Sequence, residues 1–109
     1  MNYSAEGLLR VDLVIGIAYE SDIPKAKQVL HKVMADHEFV LNTPEPTVAV
    51  SELADSSVNL VVRPWSRVGD YWQVYFDITE QAKVNLEANG ITIPFPQRDV
   101  HLYEQKAAA

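Results

Sequence analysis

Three groups of side chains in this 109-residue sequence have the types that chemistry uses. They are the histidines His31, His37 and His101, the acids Asp70, Asp77 and Glu80, and the aromatic–arginine group Trp65, Arg67, Tyr71 and Trp72. Two histidines that hold one metal from a helix face need a spacing of three or four. His31 and His37 are six apart, so ordinary exposed or helix-end imidazoles are the simpler reading and no metal site is expected. The acids resemble an acid–base pair only until they are placed on a helix. Asp70 then sits at its start, and Asp77 and Glu80 fall off its apolar stripe, which is the pattern of a solvated face. There is no cysteine, no serine or threonine in a nucleophile-elbow context and no glycine-rich phosphate motif. No catalytic residue and no cofactor are expected, and the chain does not read as an enzyme.

One loop could still bind an anion. Some small α/β domains hold phosphate after their first strand, using backbone N–H groups, glycine and a cation. Here that loop is "YESDIP", residues 19–24, and Glu20 and Asp22 stand where the anion would go. Acids that complement a helix N-terminus explain both residues. The aromatic–arginine group is less readily dismissed. Trp, Tyr and Arg dominate interface hot spots, so Trp65, Arg67, Tyr71 and Trp72 form a candidate interaction surface. The competing reading is that Trp65 and Tyr71 cap the core at one end of a sheet.

The elements that must position these residues follow from hydrophobic patterning. "VDLVIGIAY", Val11 to Tyr19, is nearly continuous and β-branched, as in a strand buried on both faces. "ESDIPKAKQVLHKVMADHE" follows as a helix capped by Ser21 or Asp22, with Pro24 tolerated in its first turn. Ala26, Val29, Leu30, Val33 and Met34 share one face of it, and Lys25, Lys27, Lys32 and Asp36 the other. "NTPEP" is a loop. "TVAVSEL" and "SVNLVVRPW" are strands joined by the polar turn "ADSS", with Val58, Leu60 and Val62 on one face. Pro64 should end regular pairing or mark an edge, and "SRVGD" reads as loop. From Asp70 to Asn89 a second helix carries Tyr71, Val74, Tyr75, Ile78, Ala82 and Leu86 on one stripe. Gly90 closes it, with Ile91 placed to meet Leu86 as in a Schellman motif.

With "ITIPF" as a fourth strand, the order is strand, helix, strand, strand, helix, strand. This is an α+β, ferredoxin-like βαββαβ sandwich, an antiparallel sheet with two helices on one face and the first strand at its centre. Pro94 and Pro96 then interrupt the exit, yet "QRDVHLYE" resumes polar–apolar alternation as a strand surplus to that fold.

Composition narrows the partners. A formal net charge of −6 disfavours nucleic acid and anionic membrane surfaces, both of which need clustered Lys and Arg. The longest apolar run, Leu13 to Tyr19, is far short of the ~20 residues that span a bilayer. The N-terminus lacks the basic and apolar regions of a signal peptide. Taken alone, the chain reads as soluble and cytoplasmic, while the start "NYSAEGLLR" suits a cut inside a longer protein.

Three stretches, "VIGIAYESDIPKAKQVL", "NLVVRPWSRVGDYWQVYFDITEQAK" and "GITIPFPQRDVHL", resemble in order and spacing the carboxy-terminal part of the small-conductance mechanosensitive (MscS) channel family. The resemblance runs from about Asn2 to about Leu102. It implies a cage, or vestibule, domain on the cytoplasmic side of a bacterial inner-membrane channel that releases ions and small solutes under tension during osmotic shock. It also implies a homo-heptamer whose cage is closed by a parallel β-barrel of one strand per subunit. Residues 1–10 would be the linker from the absent middle β-domain, 11–95 the ferredoxin-like domain and 96–109 the barrel strand and tail. Pro94 and Pro96 would steer the chain outward, and Gln97, Asp99, Val100, His101 and Leu102 would form the barrel interface, so that every strand edge is paired. The alternative reading is a free-standing ferredoxin-like small-molecule-binding or regulatory module that dimerises through its sheet. A small hydrolase is disfavoured by the acidic first loop and the missing nucleophile.

Overall fold

The computed structural model of the chain describes residues 2–3 and 7–94. In chain order these form β1 (Asn2–Tyr3), β2 (Leu8–Arg10), β3 (Leu13–Ile17), α1 (Ile23–Ala35), β4 (Thr47–Leu53), β5 (Val58–Arg63), β6 (Trp65–Arg67) and α2 (Tyr71–Ala88). The strands make two three-stranded antiparallel sheets among the described residues, ordered β1-β2-β6 and β3-β5-β4. The fold is α+β, with α1 and α2 packed beside each other.

Each helix ends where its sequence says it should. The Asp22 carboxylate accepts from the Lys25 backbone N–H at 3.0 Å and caps α1. The five residues assigned to the apolar face of α1 do face the core: Ala26, Leu30, Val33 and Met34 are buried, and Val29 packs against them. A short 3₁₀ turn, Val68–Asp70, leads into α2. At the other end of α2, Gly90 has φ +77°. The Ile91 N–H donates to Leu86 O at 2.9 Å and the Gly90 N–H to Glu87 O at 3.1 Å, the two bonds of a Schellman motif. Ile91 and Leu86 are both buried in the one core cluster.

That cluster lies between the helices and the inner face of the β3-β5-β4 sheet. Leu13 and Ile17 of β3, Val48 of β4, and Val58, Leu60 and Val62 of β5 bury there against Leu30, Val74, Ile78 and Leu86. On the outer face Gly16 stands opposite Asn59. A Cβ at Gly16 would lie 3.0 Å from Ser57 Oγ and 3.1 Å from Asn59 Oδ1, so the side chains of this pair fit only because Gly16 has none.

Four sequence expectations need correction. The first strand is not central: β5 is, and β3 runs along one side of it. Nor is β3 buried on both faces, since Val14 points outward and is 66% exposed. A continuous apolar run fitted a doubly covered strand equally well, and only the layering decides between them. Residues 1–10, expected as a linker, contain strands β1 and β2, and β2 pairs with β6 in a stretch expected to be Pro64 followed by loop. Finally, residues 91–94 of "ITIPF" have no regular strand structure. The Ala18 N–H donates to Thr92 O at 2.9 Å and holds this segment beside the end of β3. Phe95 lies outside the described residues.

Two substitutions test this account of the core and the helix end. Leu60→Ala removes a fully buried side chain from the central strand and should cost about 2–5 kcal/mol in urea denaturation. Gly90→Ala has open space around the new methyl, yet should still cost about 1 kcal/mol because φ +77° strains any L side chain.

Candidate functional site

The first loop offers no anion site. The Asp22 carboxylate itself occupies the N-terminus of α1, where a phosphate would otherwise bind. The Tyr19 hydroxyl donates to the Ala54 carbonyl and fastens this loop to the β4–β5 turn. Among the described residues, no three His, Asp or Glu side chains converge in a metal-holding group. His31 is exposed on α1. Asp70 sits at the start of α2 and makes no capping bond with its side chain. Asp77 turns toward α1 rather than toward Glu80.

Its partner there is His37, just past the end of α1. The imidazole is largely enclosed, its side chain 12% exposed, and Nε2 lies 2.8 Å from Asp77 Oδ2. The Phe39 backbone N–H donates to His37 Nδ1 at 3.1 Å. A backbone N–H can only donate, so Nδ1 is the bare nitrogen and Nε2 carries the proton that Asp77 accepts. His37 lines a groove of about 550 Å³ between the helices. Val29, Val33 and Ile78 supply apolar walls, and Gln28, Gln81 and Asn85 a polar rim. Residue types alone did not reveal this pair, because forty residues separate its members.

The structure divides the expected aromatic–arginine group between the core and an exposed helix flank. Tyr71 is a core residue, 8% exposed, and meets Trp72 edge to face at 4.9 Å. Trp72 is 57% exposed and stacks on Phe76, 62% exposed, with centroids 5.7 Å apart and planes 27° apart. Tyr75 contacts both at 5.4 and 5.7 Å, and Val68 extends the exposed apolar run toward the 3₁₀ turn. Trp65 and Arg67 sit on β6, the former half-buried and the latter exposed. Sequence reasoning missed Phe76. Its signal was the spacing of four from Trp72, which puts two large apolar rings on one helix flank away from the buried stripe.

At the junction of the two sheets, Asp12 receives Arg10 Nε at 2.6 Å, and Arg63 Nε approaches the same carboxylate at 3.7 Å. The side-chain hydrogen bond to Asp12 raises the Arg10 pKa above its already high ordinary value. Partial burial opposes that shift and the charge of Asp12 adds to it, so the guanidinium stays ionised at any physiological pH. Of the residues expected at a barrel interface, Pro94 is described and is half-buried. Pro96, Gln97, Asp99, Val100, His101 and Leu102 lie outside the described residues.

Comparison with known proteins places this geometry. The family described as "Mechanosensitive ion channel MscS, C-terminal" matches residues 11–93. A small-conductance mechanosensitive channel of Edwardsiella ictaluri is 46% identical over 104 residues, which cover 95% of this chain and 36% of that protein. An uncharacterized MscS family protein of Synechocystis is 44% identical over 104 residues, covering 95% and 35%. The crystal structure of Helicobacter pylori MscS in its closed state superposes with a TM-score of 0.79 at 27% identity, covering 84% of this chain and 36% of that one. The chain thus spans about a third of the length of the relatives it matches. Among its described residues, no helix is long and apolar enough to cross a membrane.

The two adjacent aromatics should separate cleanly by substitution. Tyr71→Ala should lower stability by about 3 kcal/mol, as for a core aromatic. Trp72→Ala should cost less than about 1 kcal/mol, because it removes a mostly exposed ring. Paired thermal or urea melts decide whether the exposed flank is independent of the core.

Proposed function

The chain belongs to the MscS family of mechanosensitive channels, and from that premise we propose that it is the cytoplasmic cage domain of a bacterial inner-membrane channel. In this reading it performs no catalysis. It supports assembly of the channel and shapes the vestibule through which ions and small solutes leave the cell under membrane tension. The observation that carries the reading is the match of a C-terminal channel family to residues 11–93, together with the shared fold of the H. pylori channel.

The geometry supports the division of labour. Among the described residues the core reaches to Ile93, which packs against it just before the two prolines. We assign residues 96–109 to the barrel strand and tail, residues 11–95 to the domain itself, and Pro94 and Pro96 to the turn between them. Gln97, Asp99, Val100, His101 and Leu102 then contact neighbouring copies in a homo-heptamer. The exposed flank Trp72–Phe76, with Arg67 near it in sequence, is a second surface for such contacts. Repeated around a ring, the net charge of −6 would bias which ions approach the cage.

The direct test uses the full-length protein that carries this chain, expressed in bacteria stripped of their own mechanosensitive channels. Survival of abrupt dilution and a tension-activated current in membrane patches are expected. Neither, with the protein present in the membrane, overturns the reading. Assembly is tested separately on the full-length protein truncated after Ile93. The truncation should abolish the heptamer measured by native mass while leaving the helical circular dichroism nearly intact. A dimer of the 109-residue chain that survives the same truncation would favour the free-standing module, paired through the sheet face that exposes Val14.

A further inference from the structure

The connector from α1 to β4 does more than link two elements. Its first residues are tied to two other parts of the fold, α2 and β6. His37 holds α2 through Asp77 at 2.8 Å. Phe39 gives its backbone N–H to His37 Nδ1 at 3.1 Å, and the Val40 N–H donates to His37 O at 3.2 Å. Leu41 then donates its N–H to the carbonyl of Trp65 at 2.9 Å, on β6 of the small sheet. Five residues thus connect the helix layer to the β1-β2-β6 sheet, and one imidazole holds both the helix end and the connector.

We propose that His37 is a proton-operated clasp between the helix layer and the small sheet. With one ring proton, Nε2–H donates to Asp77 and the bare Nδ1 accepts from Phe39, so the connector is pinned. A second proton goes to Nδ1, the only ring nitrogen with a free lone pair, and turns that acceptor into a donor facing the Phe39 N–H. The Phe39 bond is lost. The bond to Asp77 becomes charge-assisted and strengthens. Protonation therefore keeps the grip of α1 on α2 and releases the connector that leads to Trp65. The charged groups around the ring fit this assignment. Asp77 is the one on α2 in hydrogen-bond contact. On α1, Lys32 and Asp36 line the same groove and are paired with each other at 2.7 Å. Glu38, next in the connector, is exposed.

The test is nitrogen-detected NMR and amide exchange on the 109-residue chain at about pH 8 and about pH 5. At the higher pH the ring should show Nε2 protonated and Nδ1 bare. On acidification, amide protection at Phe39, corrected for intrinsic exchange, should fall roughly fivefold, the worth of one neutral hydrogen bond. Protection at Leu41 should fall with it, while Leu30 and Ile78 in the helix core hold. His37→Asn keeps an acceptor near the position of Nδ1 and should leave Phe39 protected at both pH values. His37→Gln places its amide near the position of Nε2 instead and should leave Phe39 unprotected at both. A protonated Nδ1 at about pH 8 overturns the proposal. So does Phe39 protection that ignores pH in the unsubstituted chain, or a fall shared equally by Leu30 and Ile78. These readings need no variant, so a substitution that fails to fold does not rescue the idea.

Discussion

The rest of the structure depends on one antiparallel register. Leu13 faces Val62 and Ile17 faces Val58 in one sheet, while Arg10 faces Trp65 and Leu8 faces Arg67 in the other. These pairs belong to a single alignment, so the stretches 8–17 and 58–67 form one continuous ribbon divided between two sheets. The division falls at Pro64. Its carbonyl still accepts the Val11 N–H at 2.8 Å, but its ring has no N–H to return the bond. The ladder therefore loses one rung, and the chain turns from the large sheet into the small one. Pro64 and Val11 are both fully buried at this point, and the Arg10–Asp12–Arg63 cluster sits beside them. Because the register is shared, neither sheet can slip without the other.

That constraint explains what the sequence made legible. Capping by Asp22, the Schellman closure at Gly90, the inner face Val58–Leu60–Val62 and the stripe along α2 are all local patterns, set within a few residues. They were readable for that reason. The short strands β2 and β6 were not. Three residues carry too little periodicity to distinguish a strand from a linker, and the pairing of β2 with β6 joins residues some fifty-five positions apart. Pro64 misled for a related reason. A proline within a strand signals an edge or an end, and here it is a hinge inside a ladder that resumes on its far side. The place of the first strand was misjudged because apolar content reports burial but not which neighbour provides it.

The candidate site divides along the same line. Tyr71 and Trp72 were visible as residue types, yet their fates differ because consecutive helix positions lie about a hundred degrees apart. That rotation puts Tyr71 in the core and leaves Trp72 beside Phe76 on the flank. The helix period would have found Phe76. No local rule would have found His37 with Asp77, since their meeting depends on how α1 and α2 pack. The family match carried the assignment further than residue chemistry could, because it rests on the order and spacing of whole stretches rather than on any cluster of reactive groups.

The edges of the β3-β5-β4 sheet then limit where other copies of the chain can attach. An exposed ladder edge invites a further strand, and both sides of this sheet work against one. Along β4 the register shifts between Val50 and Glu52, and the bulge at Ser51 bends the ladder where a flat edge would be most receptive. On the β3 side, residues 91–93 lie across the strand end, held by the bond from Ala18 to Thr92. Pro94 follows immediately and has no N–H with which to extend that pairing. Association by simple strand addition to this sheet is thus disfavoured by the same residues that complete the domain.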